Sequence, residues 1–361
     1  MYQNNTYTEL RDVLFNTILL SNHRGILGQK LSISKLQTDS FNLSVKISKL
    51  SNIQNTKLTK LYDTKRYIDP SMFSFGSEYE DMIPNGTPPF LDSGEKYVER
   101  ITRALSYFKQ CALIGPSGTG KTHIVYLVSE LCRLPLWEIN CGLQTSVFDL
   151  FGRYIGLGKE NWIDGLITNW CRHGGILYLD EANMMKQDIA TKLNPILDAR
   201  GHMVLTEKDN EMIHRHRHAY LIISMNPFSA EFAGTKPINA AMRRRMSVWL
   251  NFDYMSSGKN VDKKEIQLVT DKAGIHWEIA EKIVEVGAKL REEYKTGDLP
   301  YGPSIGDLVN WGMLIADGAS IEDSSNETIV SMTSDDLEVQ DEVKSVIQKV
   351  FRYKSDERNG I

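Results

Sequence analysis

Eight residues constrain this chain more than any others: Gly115-Pro116-Ser117-Gly118-Thr119-Gly120-Lys121-Thr122. They fit G-x-x-x-x-G-K-[ST], the pattern of a loop that cradles phosphate. Ala112-Leu113-Ile114 before the loop reads as a short buried strand, and Ile124, Val125, Leu127, Val128 and Leu131 after it fall at helical spacing. In that setting glycines let backbone N–H groups approach phosphate oxygens, and the helix N-terminus adds partial positive charge. Lys121 is expected to reach the β- and γ-phosphates of a nucleotide, and Thr122 to ligate Mg²⁺.

A strand feeding such a loop belongs to a parallel sheet, and the flanking sequence supplies one. Apolar runs at 136–139, 176–179 and 220–224 alternate with helical patterns such as Ile189, Leu193, Ile196 and Leu197. This predicts an α/β fold: a phosphate-loop parallel sheet sandwiched by helices. Residues 203–206 and 212–215 flank Lys208-Asp209-Asn210 as a β-hairpin. From about residue 254 the strand signal stops. Ile279, Ile283, Val286 and Leu290, and later Val343, Val346, Ile347, Val350 and Phe351, are spaced for helices. The expected division is a small β-containing N-terminal module over 1–70, a Pro- and Gly-rich linker over 71–92, the nucleotide-binding domain over 93–253 and a helical lid domain with a C-terminal helix over 254–361. In the first module Phe41, Leu43, Val45 and Ile47 alternate with polar residues, as in a half-exposed strand.

A net charge of −4 gives no general attraction to nucleic acid or anionic membranes. No run approaches the roughly 20 apolar residues a bilayer requires, and the N-terminus lacks a signal-peptide core. A cytoplasmic protein is the expectation. Cys111, Cys132, Cys141 and Cys171 show no C-x-x-C spacing and read as buried reduced thiols. His214, His216 and His218 alternate, so in a strand they would share a face, as a metal site needs, but they lie at the approach to the strand at 220–224 and are read first as part of it.

Hydrolysis needs more than a phosphate loop. Asp180 and Glu181 close the run 176–179, at the strand end where α/β sheets place ligands. Asp180 would hold the Mg²⁺ shell and Glu181 would polarise the attacking water. Asn226, after the run 220–224, can orient that water as a neutral hydrogen-bonding group. Arg243-Arg244-Arg245 is either a solvated helix end or a charge clamp for a phosphate on a neighbouring subunit.

These motifs as a set resemble an AAA+ ATPase: Walker A at 115–122, Walker B at 177–181, sensor 1 at Asn226 and an arginine finger at Arg245, with Arg244 as its alternate. Phe148-Asp149-Leu150-Phe151-Gly152-Arg153, Gly174 to Asn183, Leu197-Asp198-Ala199-Arg200-Gly201, Met225-Asn226-Pro227 and Gly234-Thr235-Lys236 are similar to the MoxR-like branch, which includes the cobaltochelatase small-subunit, Rubisco-activating and gas-vesicle ATPases. The resemblance covers roughly residues 93–315. It implies ATP and Mg²⁺ as cofactors and a homo-oligomeric ring, hexameric by expectation. It implies Asn140 as a restraint on Glu181, and two inserts, residues 142–170 and the hairpin at 208–210, facing a central pore, with Phe151 and Tyr154 either pore contacts or core packing. It also implies a client protein or a partner carrying an adhesion-type (von Willebrand A-like) metal domain. Gly306 stands where the family places a lid arginine, so either another basic residue substitutes or nucleotide-driven lid closure is weaker. The expected function is ATP-driven remodelling or assembly of a client complex. The competing readings are a nucleic-acid motor or loader using the basic N-terminal module, and a nucleotide-gated scaffold with little turnover.

Overall fold

Five strands form one parallel sheet in the order β2-β5-β8-β1-β9: β1 (Gln110–Ile114), β2 (Leu136–Asn140), β5 (Gly175–Asp180), β8 (Ala219–Met225) and β9 (Trp249–Asn251). The computed structural model describes residues 61–351 apart from 73, 143, 157–160 and 228–237. The strand expected over 41–47 and the Gly234-Thr235-Lys236 stretch lie outside the described residues. By its contacts the chain divides into two units, 1–56 and 57–361, and everything described belongs to the second.

The central strands are apolar on both faces because both faces are covered. Successive side chains alternate across a strand. Leu177, Leu179, Leu221 and Ile223 therefore pack with Phe151, Trp170, Leu193 and Met242 on one face. Ile176, Tyr178, Tyr220 and Ile222 meet Ile101, Leu105, Val125 and Leu127 on the other. The second face is covered by α1 (Tyr97–Phe108) and α2 (Lys121–Cys132), the first by α3 (Val147–Phe151), α4 (Leu166–His173), α5 (Gln187–Leu197) and α6 (Ala240–Arg245). The four cysteines are free and buried within this unit, and burial pushes their thiols up to about 12.

The register brings the C-terminal ends of the strands to one edge, pairing Ile114 with Met225, Leu179 with Ile223 and Asn140 with Asp180. The edge strand β9 is not legible in the sequence, since three residues are too short to show a period. Residues expected to form a module end and a linker instead pack on the sheet unit. Tyr62 and Ile68 are part of its core. The Tyr62 hydroxyl donates to the Phe90 carbonyl at 3.1 Å, and Glu130 accepts from the backbone of Gly86 and Thr87 at 3.0 and 2.7 Å.

Two antiparallel hairpins project from the first face: β3 (Gly152–Tyr154) with β4 (Trp162–Asp164), and β6 (His202–Leu205) with β7 (Glu211–His214). The second is the hairpin expected around 208–210. An ion network joins the two. Arg172 on α4 holds Asp164 and Glu211, each at 2.7 Å, and Lys208 holds Glu211 at 2.9 Å. Tyr154, Ile163, Val204 and Met212 are exposed on the hairpins. Of the two readings for Phe151, pore contact or core packing, the structure has the second: it is a core residue at 1% exposure with the Lys192 ammonium over its ring. The alternation of histidines also ends early: β7 stops at His214, and among the described residues no cluster of three or more metal-ligating side chains forms.

The C-terminal part is helical: α7 (Lys263–Ala273), α8 (Trp277–Thr296), α9 (Ile305–Ala316), α10 (Ile321–Ser325) and α11 (Leu337–Phe351). Val269, Ile283, Val286, Leu308, Trp311, Val343 and Ile347 form its separate core. Asp262, His276 and Ser304 cap α7, α8 and α9, and Ser304 forms a reciprocal capping box with Asp307. The Asp262 and Ser304 caps each stabilise their helix by about 1 kcal/mol. Among the described residues no helix is long and apolar enough to cross a membrane.

Candidate nucleotide site

The glycine loop lies between β1 and α2, and two of its glycines are fixed by what presses on them. A side chain at Gly115 would come within 2.4 Å of the Phe252 carbonyl. Gly118 has φ +74°, and a Cβ there would lie 2.3 Å from Cβ of Ser304, the residue that caps α9. The lid helix therefore begins directly against the phosphate loop. Beside the loop a cavity of about 480 Å³ opens between Gly115, Pro116, Pro227, Phe252, Tyr294 and Lys295.

Lys121 opens α2 and is buried at 8% exposure. Its ammonium donates to the carbonyls of Gly115 and Pro116, at 2.7 and 2.6 Å, and to Asn226 Oδ1 at 3.2 Å. Burial lowers its pKa to about 8, with Asp180 and Glu181 acting in the opposite direction. The cation is thus held by neutral oxygens in a concave, positively biased loop, as an anion site requires.

Four hydroxyl and carboxyl groups set the opposite wall. Thr122 Oγ1 lies 3.3 Å from Asp180 Oδ2 and 3.1 Å from the Tyr178 hydroxyl. Tyr178 donates to Ser224 Oγ at 3.0 Å, and Ser224 in turn donates to Asp180 Oδ1. The residues fit a hard divalent cation: a hydroxyl and a carboxylate converge, all donors are oxygen, and the carboxylate is held by a buried neighbour.

Glu181 follows at φ 51° and ψ 41°, a left-handed conformation, with its side chain exposed and its N–H donating to Asp180 Oδ1 at 3.0 Å. Such a conformation costs about 1–2 kcal/mol for a residue with a Cβ. Strain of this type clusters at functional sites. Asn140 ends β2 directly opposite Asp180, and Asn226 follows β8. Lys121, Thr122, Asp180, Glu181, Asn226 and Asn140 thus share one edge of the sheet.

Arg244 and Arg245, expected from the sequence as the finger, do not join them within the same chain. The Arg245 carbonyl accepts from Gln110, the first residue of β1, at the other end of that strand from the glycine loop. Its guanidinium donates to the Ala241 carbonyl at 2.8 Å and lies 3.5 Å from Asp198. Arg244 beside it is exposed. Gly306 is the second residue of α9, with only Ser304 Oγ, at 3.4 Å, near its would-be Cβ.

Sequence reasoning missed Tyr178 and Ser224. Both are polar residues inside otherwise apolar, fully covered strands, and a buried hydroxyl needs a partner. That was the available signal.

A parallel sheet in this order, with a phosphate loop after β1 and an acidic pair at the end of β5, defines a P-loop ATPase of the AAA+ class. The profile described as "AAA domain (dynein-related subfamily)" matches residues 110–246, and that described as "CbbQ/NirQ/NorQ C-terminal" matches residues 265–350. The denitrification regulatory protein NirQ of Pseudomonas aeruginosa is 30% identical over 250 residues, covering 69% of this chain and 92% of that protein. Protein CbbQ of Hydrogenophilus thermoluteolus is 28% identical over 265 residues, covering 73% and 95%. Protein NorQ of Paracoccus denitrificans is 28% identical over 240 residues, covering 66% and 85%. The chain belongs to the CbbQ/NirQ/NorQ family of MoxR-like AAA+ ATPases, and so to the ATP hydrolases.

Proposed function

We propose that this ATPase works as an oligomeric ring that couples ATP binding and hydrolysis to remodelling or assembly of a client protein complex. The observation that carries the reading is the convergence of Lys121, Thr122, Asp180, Glu181 and Asn226 on one sheet edge, with Arg244 and Arg245 displaced to the far end of β1. An arginine that cannot serve its own site is available to a neighbour's, and closed rings are the usual outcome of such heterologous contacts.

In this reading the amides of residues 115–122 hold the phosphates, and Lys121 exchanges its loop carbonyls for β- and γ-phosphate oxygens. Thr122 and Asp180 would hold Mg²⁺, which when bound neutralises charge on the phosphate oxygens. Glu181 takes a proton from water as the water oxygen bonds to the γ-phosphorus. The bond from phosphorus to the bridging oxygen breaks, and ADP and phosphate result. Asn226 orients the water, and Asn140, across from Asp180, restrains Glu181. A guanidinium from the adjoining subunit meets the charge on the γ-phosphoryl group. The two exposed hairpins are the surfaces that act on a client, by family resemblance one associated with an adhesion-type metal domain.

The test is ATPase activity against oligomeric state. Turnover should rise steeply with assembly. Equal specific activity in monomer and assembled fractions would exclude the shared site.

A further inference from the structure

Arg291 on α8 is wholly buried, and so is its partner Glu265 on α7; Nη1 and Oε1 are 2.8 Å apart. An ion pair removed from water is weak support for stability unless its surroundings are completed by hydrogen bonds. Here Arg291 Nη2 and Glu265 Oε2 stay buried without a partner, and the hydrogen bonds that are made run in one direction. Arg291 Nε donates to the Pro303 carbonyl at 2.7 Å and Nη1 to the Ser256 carbonyl at 3.2 Å. The guanidinium carbon lies 4.7 Å from the centre of the Tyr254 ring, a cation–π contact. The Tyr254 hydroxyl lies 3.2 Å from the carbonyls of both Ser117, in the phosphate loop, and Gly302. Burial raises the phenol above its ordinary range, so it remains a neutral donor. The segment Gly302-Pro303-Ser304 thus has its middle fastened to Arg291, its first residue to Tyr254, and its last pressed against Gly118.

We infer that Arg291 and Tyr254 are positioning residues that couple the lid to the phosphate loop, through Pro303 and Ser304 on one side and Ser117 on the other. Neither touches the reacting atoms. Gly306 offers no side chain to the nucleotide, so a shift of residues 117–118 on phosphate binding reaches α9 through these backbone contacts. Arg291 is too deeply buried to act as a substitute for the missing lid arginine at the nucleotide itself. The inference rests on the nucleotide reading above.

The full chain tests it. Tyr254→Phe keeps the ring under Arg291 and removes only the hydroxyl; Arg291→Lys keeps the charge and removes the fork. The expected result for each is a kcat lowered about tenfold with KM and ADP affinity within about twofold, a split that general destabilisation does not produce. In wild type, a non-hydrolysable ATP analogue should slow amide exchange over residues 302–308, and in Tyr254→Phe that protection should be lost while melting temperature is unchanged. Should Arg291→Lys fail to fold, Tyr254→Phe decides alone. Wild-type kcat and wild-type protection in Tyr254→Phe would overturn the coupling. Absence of ATP binding in the wild-type protein would overturn the nucleotide reading and the coupling together, so the two failures are distinguishable.

Discussion

The guanidinium of Arg245 lies 3.5 Å from the carboxylate of Asp198 in its own subunit. Hydrogen bonds from Arg200 hold that carboxyl below the usual carboxylate range, so Asp198 remains an anion and keeps Arg245 engaged. Arg244 is the freer of the two guanidinium groups. Arg244→Ala is expected to lower turnover about 10³-fold with ATP binding intact, as for other arginines supplied in trans, and Arg245→Ala to lower it less. Mixing Arg244→Ala with Glu181→Gln should restore part of the activity, because the first variant's site can accept the second's arginine. No recovery in mixed assemblies would count against a shared site.

Glu181 combines an exposed carboxylate with a left-handed backbone. Glu181→Gln should bind ATP normally and lose turnover about 10²- to 10⁴-fold, the range for a general base. Glu181→Gly should be equally inactive yet more stable by about 1 kcal/mol, since glycine adopts this conformation freely. Denaturant unfolding of the two variants compares them directly, and a destabilised Glu181→Gly would contradict the strain.

Lys121 titrates near 8 in the free protein, lowered by burial. A bound triphosphate favours the ammonium and raises that value. Between pH 8 and 9 the free side chain is increasingly neutral while the bound one stays charged, so binding takes up a proton and affinity falls as pH rises. Calorimetry at pH 8.5 in buffers of different ionisation enthalpy reads this uptake. A buffer-independent heat would argue against it.

Ser224 is fully buried and donates to the carboxylate expected to hold the metal. Ser224→Ala should raise the Mg²⁺ concentration for half-maximal activity about tenfold, the usual scale for a group behind a ligand. Removal of divalent ions by a chelator should abolish turnover in both proteins and restore it on readdition. An unchanged Mg²⁺ titration would assign Ser224 to packing alone.

Much of this molecule is readable from its residues because its strongest features are local. The runs at 136–139, 176–179 and 220–224 became strands since a doubly covered strand must be apolar along its whole length. The loop at 115–122 is legible for the same reason: its chemistry is contiguous. What was not legible depends on residues distant in the chain. Asp198 and Arg245 meet across 47 positions, Arg215 and Gln110 across 105, and Glu265 and Arg291 across two helices. Phe151 stayed open between pore and core because an aromatic between glycines carries no sign of which way it faces, and the sheet took it into the core.

Arg172 grips one residue from each of the two projecting hairpins. A tilt of either would therefore drag its companion, and in the proposed ring a client chain caught by Tyr154 or Ile163 would pull on Val204 and Met212 as well. Each subunit would then grasp with a stiff two-tined fork, and salt strong enough to loosen Arg172 would blunt that grasp before it touched the nucleotide chemistry.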